Sequence, residues 1–217
     1  MKEEKMQRYL RATGLIDSGH PAIRQKAEEL SGRFTTDQEK AVALFYFVRD
    51  QIRYNPFMPR FLPEHFKASG TLAGGKGFCI QKAVLLTALS RAAQIPARLR
   101  FAVIRNHLLP PKLSDLLTGD ELPDHGFVEL YIEGRWIKAN PAFDIGTCRD
   151  FILPVEFDGR RDALFHPLTR DGRPHIEYVL FRGCYDDVPV DEIAEWLTAV
   201  LKPEAMMPIL GREDKPF

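Results

Sequence analysis

The sequence predicts one domain that gathers helices in its N-terminal third and strands further along. Three observations carry this reading. Apolar residues after Thr36 repeat at helical spacing, the segment from Cys79 to Ala93 is apolar nearly all round, and HGFVELYIEGRWIKAN (125–140) alternates as a hairpin does. A chain of 217 residues can bury a core without disulfides or a structural metal. Its 45% apolar and 28% charged content is ordinary for a globular protein.

Pro21 to Leu30 is a short candidate helix. The next is stronger: Thr36 and Glu39 have capping-box spacing, and Ala41, Leu44, Phe45, Val48 and Ile52 fall on one face until Asn55-Pro56 ends the run. Residues 55–74, with three prolines and two glycines, read as an ordered, aromatic-rich loop. From Cys79 a helix with only a thin polar face is expected to be buried on most sides, and Pro96 stops it. Ala97 to Ile104 reads as a strand. Residues 105–123 form a long connection, expected to be functional, with one helical turn near Leu113 to Leu117. The hairpin turns at Glu133-Gly134, which sets Glu129 opposite Lys138 as a cross-strand ion pair and Tyr131 opposite Trp136. A second hairpin is expected around RDGRPHIEYV, then a helix near Val190 to Leu201 and a loosely packed tail, KPEAMMPILGREDKPF.

Composition removes several function classes. Lys plus Arg equals Asp plus Glu at 30 each, so no basic field argues for nucleic acid or an anionic membrane. The charged opening MKEEKMQRYLRATG lacks the apolar stretch of a signal peptide, and no run approaches the roughly 18 apolar residues of a membrane span. Three widely spaced cysteines with no CxxC fit free thiols in a reducing cytoplasm. No residue pattern calls for a metal or a cofactor, and none is expected.

The chemistry centres on GKGFCIQ. A glycine-punctuated turn delivers Cys79 to the first turn of a helix, where backbone amides favour the thiolate and can serve a developing oxyanion. On that basis its pKa is expected below the free-thiol value of about 8.5. A cysteine in such a place is more often a core residue, so the reading needs a base. His125, opening a strand after Pro123-Asp124, is the candidate. The hairpin register places Phe127 opposite Asn140, and His125 and Asn140 on one face as diagonal neighbours. Asp144 shares that parity beyond Pro141. A thiol, an imidazole and an orienting amide or carboxylate therefore converge in the order Cys79, His125, then Asn140 or Asp144.

GKGFCIQKAVLLTALSRAAQIPARLRFAVI resembles the transglutaminase-like core, in which Gly-x-Cys opens a helix and Ile-Pro-Ala-Arg closes the segment. HGFVELYIEGRWIKANP is similar to the family's His-Ala-Trp, Gly-x-Trp and Asp-Pro pattern at matching spacing. The resemblance covers roughly residues 37–145, with 1–36 and 146–217 as N- and C-terminal additions to a single domain. It implies an α+β, papain-like fold whose Cys-bearing helix packs on an antiparallel sheet. It also implies acyl transfer through a thioester on Cys79, from a peptide or protein amide, with hydrolysis expected over transfer. Gly77, Phe78 and Phe127, which flank the two reacting residues, are expected to contact substrate. The family's triad Asp is Asn140 here, an amide that can hold an imidazole but cannot balance an imidazolium. That departure keeps open a weak or inactive peptide-binding module. A transglutaminase proper or an arylamine-type acyltransferase stands third.

Overall fold

The computed structural model describes residues 6–203. The tail expected beyond Lys202 lies almost wholly outside them. Helix α1 spans Pro21–Ser31 and α2 Asp37–Gln51. The capping box forms as expected: Thr36 Oγ1 accepts from the Glu39 amide at 3.2 Å, and the Thr36 amide donates to Glu39 Oε2 at 3.4 Å. The predicted face of α2 is the buried one, with Ala41, Leu44, Phe45 and Val48 all without exposed surface.

The Pro-rich stretch after α2 holds more structure than its composition suggests. A 3₁₀ turn covers Pro63–Phe66 and a helix, α3, covers Ala68–Gly74. Gly75 ends α3 in the left-handed region at φ 61°. Two short strands, β1 (Arg53–Tyr54) and β2 (Lys76–Gly77), pair in parallel and bring this stretch against the start of α4, Cys79–Ala92. Every residue from Ile80 to Arg91 is buried, polar ones included. Lys82 has no exposed surface; its Nζ donates to the carbonyls of Arg49 at 2.9 Å and Ile52 at 2.6 Å. It thereby satisfies carbonyls that the end of α2 leaves without partners.

Strands β3 (Ala97–Asn106), β4 (Glu121–Ile132), β5 (Arg135–Ala139) and β6 (Ile176–Tyr185) form one antiparallel sheet in the order β5-β4-β3-β6. The β4–β5 register runs from Val128↔Ala139 to Ile132↔Arg135, as the Glu133-Gly134 turn predicts. Both turn residues have positive φ, 50° and 84°, which suits the tight two-residue connection. Tyr131 and Trp136 do face each other, with ring centroids 5.3 Å apart. The expected Glu129–Lys138 ion pair does not form. Glu129 pairs with Arg98 at 2.6 Å and Lys138 with Asp162 at 2.6 Å, because each finds a nearer partner outside the hairpin. RDGRPHIEYV forms only a turn, and its strand, β6, pairs instead with β3. Between β3 and β4 residues 111–114 form one helical turn, α5; the last helix, α6, is Val190–Thr198. A small cluster of Leu117, Leu197 and Leu201 ties the connection to α6. Among the described residues no helix is long and apolar enough to cross a membrane.

Helix α4 packs on β4 at backbone distance. A Cβ placed on Gly126 would lie 3.1 Å from both Cα and Cγ1 of Ile80. Backbone on the helix side cannot retreat as a flexible side chain can. Gly126→Ala should therefore lower stability by about 1–3 kcal/mol, read as an earlier denaturant midpoint at unchanged slope. An unchanged midpoint would mean that α4 shifts freely.

Candidate active site

Cys79 is the first residue of α4, with Phe78 as its N-cap, so the thiol sits at the helix N-terminus where the chain enters from β2. The backbone of Gly126 and of Ile80 favours the anion of this sulfur, which puts the thiol against β4 one residue from His125. The tight Gly126–Ile80 approach makes that contact possible. Cys79 and His125 line one cleft of about 180 Å³. Its walls come from distant parts of the chain: Tyr54, Arg60 and Phe78 on one side, Leu108, Leu109 and Leu113 of the 105–123 connection on another, and Phe143, Phe165 and His175 at the back. The long connection thus roofs the cleft, as a functional loop would.

His125 is 3% exposed, and its Nε2 has no hydrogen-bond partner among the described residues. Its ring packs against Phe165 at 5.1 Å, Tyr178 at 5.9 Å and Phe127 at 6.2 Å. Burial in these aromatic walls pushes its pKa down to about 3. Cys79 keeps partial exposure to the cleft, yet burial, then the charge of Asp124, pushes its thiol up to about 11. The expected depressed thiol pKa is thus corrected. Two backbone donors at the helix start do not outweigh desolvation and a neighbouring carboxylate. The resting pair is neutral thiol and neutral imidazole.

Neither candidate for the third position is hydrogen-bonded to His125 Nε2. Asn140 is fully buried; its Nδ2 donates to the Tyr178 hydroxyl at 3.3 Å, and its Oδ1 accepts from the Ala142 amide at 3.2 Å. It reaches the imidazole only through the Tyr178 ring. Asp144 serves the backbone: Oδ2 accepts from the Tyr54 amide at 2.5 Å, and Oδ1 from the Thr147 amide at 2.7 Å. Of the expected substrate contacts, Phe78 lines the cleft and lies under the Arg60 guanidinium at 4.2 Å. Phe127 is fully buried behind His125. Gly77 is buried where a Cβ would come within 3.1 Å of Gln81 Cβ, so it answers a packing demand. Gln81 itself is a local organiser. Its Oε1 accepts from the Phe78 amide at 3.2 Å, and its Nε2 donates to the carbonyls of His65 at 2.6 Å and Pro59 at 3.3 Å.

Sequence reasoning passed over two cleft residues, Asp124 and His175, and Tyr178 beside them. Asp124 is 5% exposed with an unpartnered Oδ2, and His175 is 1% exposed with both ring nitrogens unpartnered. Tyr178 bridges Asn140 and the imidazole. His107, the histidine of the long connection, faces Glu177 instead, at 3.8 Å. Among the described residues no group of His, Cys, Asp or Glu is arranged to hold a metal ion.

The buried helix led by a cysteine and the strand that carries the histidine both lie within a segment that matches one family. Its sequence profile, described as the Transglutaminase-like superfamily, matches residues 24–141, more than half of the chain. The chain belongs to the transglutaminase-like superfamily. Among solved structures it is similar to a proposed cysteine protease from Cytophaga hutchinsonii, at 18% identity and a TM-score of 0.50 over 83% of this chain and 55% of that one. It is also similar to the periplasmic domain of TgpA from Pseudomonas aeruginosa, at 22% identity and a TM-score of 0.50 over 69% of this chain and 50% of that one. The superfamily member described here thus spans about half the length of either structure. At such identities the likeness is one of fold, an α+β papain-like core. None of the curated proteins matches the sequence.

Proposed function

We propose that the chain is a cysteine-dependent acyl-transfer enzyme that acts on a peptide or protein amide, as a hydrolase. The observation that carries this is the cleft that Cys79 and His125 line together. Sγ of Cys79 attacks the carbonyl carbon while its proton passes to His125. The C–N bond breaks as that proton moves to the leaving amine. Water, deprotonated by the same imidazole, then cleaves the thioester and restores the thiol. The Ile80 and Gly126 amides that favour the anion of the sulfur stand close to where negative charge develops on the carbonyl oxygen. Three free cysteines favour a reducing compartment, and the cytoplasm is the proposed site of action.

A second reading is a weak or inactive peptide-binding member. It draws on Asn140 and Asp144, both bonded to groups other than the imidazole. Acid quenching after mixing with a peptide thioester separates the two. An acyl adduct on Cys79, absent in Cys79→Ala and discharged by water with time, is the expected result. No adduct and no hydrolysis would leave the binding module.

A further inference from the structure

The cleft holds a buried carboxyl group, Asp124, with one oxygen unpartnered and its pKa raised by burial. Asp124 immediately precedes His125, lines the same cleft, is 95% removed from solvent, and leaves Oδ2 without a hydrogen-bond partner. Two guanidinium groups lie near, and both are engaged elsewhere. Arg60 donates to the Pro56 carbonyl and stacks over Phe78 at 4.2 Å. Arg182 donates to the Pro123 carbonyl at 3.0 Å and stacks over Trp196 at 4.1 Å. Burial favours the protonated form of this acid; a cationic donor brought to the open oxygen would favour the carboxylate and bond to it. The carboxylate is close enough to the thiol for its charge to be felt there. Any cation it holds therefore shares the cleft with the carbonyl that Cys79 attacks. The remaining walls are mostly apolar, which suits an apolar side chain beside the cation.

We propose that Asp124 is the counter-ion for the free α-ammonium group of the substrate, so that the cleft takes an amino-terminal residue with an apolar side chain. This rests on the acyl-transfer reading for its use, but the binding site can be tested without turnover. The inference also explains why a carboxylate sits where it opposes the thiolate. In the loaded cleft the ammonium cancels that opposition, and the nucleophile is favoured only with the right substrate in place.

The test is a titration, followed by NMR line shifts, of leucinamide, N-acetylleucinamide and butylamine into Cys79→Ser protein. Leucinamide should bind at least about tenfold more tightly than its acetylated form, which keeps the side chain and loses the charge. In the protein that also carries Asp124→Asn, an isosteric change, the two affinities should agree within about twofold. Equal binding of the two amides to the parent protein would overturn the proposal. So would a preference that survives in Asp124→Asn, since Asn mimics a protonated acid and not a counter-ion. Butylamine binding as tightly as leucinamide would move the cation to an acceptor amine and overturn the α-ammonium assignment. Because Cys79 is absent throughout, these results stand apart from the thioester test of catalysis.

Discussion

His125→Ala should reduce hydrolysis of an amide substrate by about 10³-fold or more while leaving alkylation of Cys79 by iodoacetamide nearly unchanged at a given pH. The two assays part because the resting pair is neutral. Alkylation needs only the thiolate, whose population is set by a thiol pKa near 11. Its rate should rise about tenfold per pH unit from 7 to 10. Hydrolysis needs a group to take the proton as the C–S bond forms, and His125 is the imidazole that lines the cleft with Cys79. That role requires the neutral imidazole, which persists down to about pH 3. Turnover should therefore be flat across the neutral range, with no inflection near the ordinary histidine pKa of about 6.5. An alkylation rate already on a plateau below pH 7 would show a preformed thiolate–imidazolium pair and sink this account.

The second large effect concerns stability. Lys82→Met keeps the apolar stem but strips two buried carbonyls, Arg49 and Ile52, of their donor, at a cost of about 2–3 kcal/mol. Lys82→Ala should cost more, because a cavity is added. Burial pushes this lysine down to about 7, well below its ordinary range, and the carboxylates of Asp144 and Asp50 hold it from falling further. The neutral amine still has two N–H groups, enough for both bonds. Above pH 7 the unfolded chain binds the proton that the folded chain has released, so stability rises with pH. Above about 8 the unfolded chain begins to ionise its thiols, and Cys79 and Cys148, pushed up to about 11 in the fold, act with the opposite sign. The clean window is thus about pH 7 to 8. Urea midpoints should increase across it in the parent and less so in Lys82→Met; equal slopes would refute the assignment.

The parts of this fold that sequence discloses are those whose cause is local. The Thr36–Glu39 cap, the stripe on α2, the absent polar face of α4 and the Glu133-Gly134 turn each act within a few residues. The turn alone fixes the register from Val128↔Ala139 to Ile132↔Arg135. What stays hidden depends on segments that arrive from afar. Strand β6 pairs with β3 across more than seventy residues, and it brings Tyr178, the actual partner of the Asn140 amide. His175 enters the cleft on the same segment. Asp124 looks like a turn residue in the sequence, since nothing local reveals that the 105–123 connection and Phe78 will bury it. Helix α3 hides for another reason. ASGTLAG is too short and too small in side chain for periodicity to mark it, and β1–β2 pairing holds it in place. The thiol pKa was misjudged through the same gap, because the helix end is local and its desolvation is not.

The Gln81 amide has a bearing on how the walls of the cleft are joined. One side chain, rooted in the helix that carries the nucleophile, grips the 55–66 segment at two carbonyls and the Phe78 amide at a third point. Arg60 and Phe78 therefore travel with Cys79 as a single piece. The opposite side is fastened by other means: the 105–123 connection meets the end of α6 through the Leu117, Leu197 and Leu201 cluster and through two backbone bonds, Thr118 N–H to the Val200 carbonyl at 2.8 Å and Lys202 N–H to the Leu116 carbonyl at 2.9 Å. The two walls of the cleft thus belong to separate anchored pieces, and only one of them moves with the nucleophile.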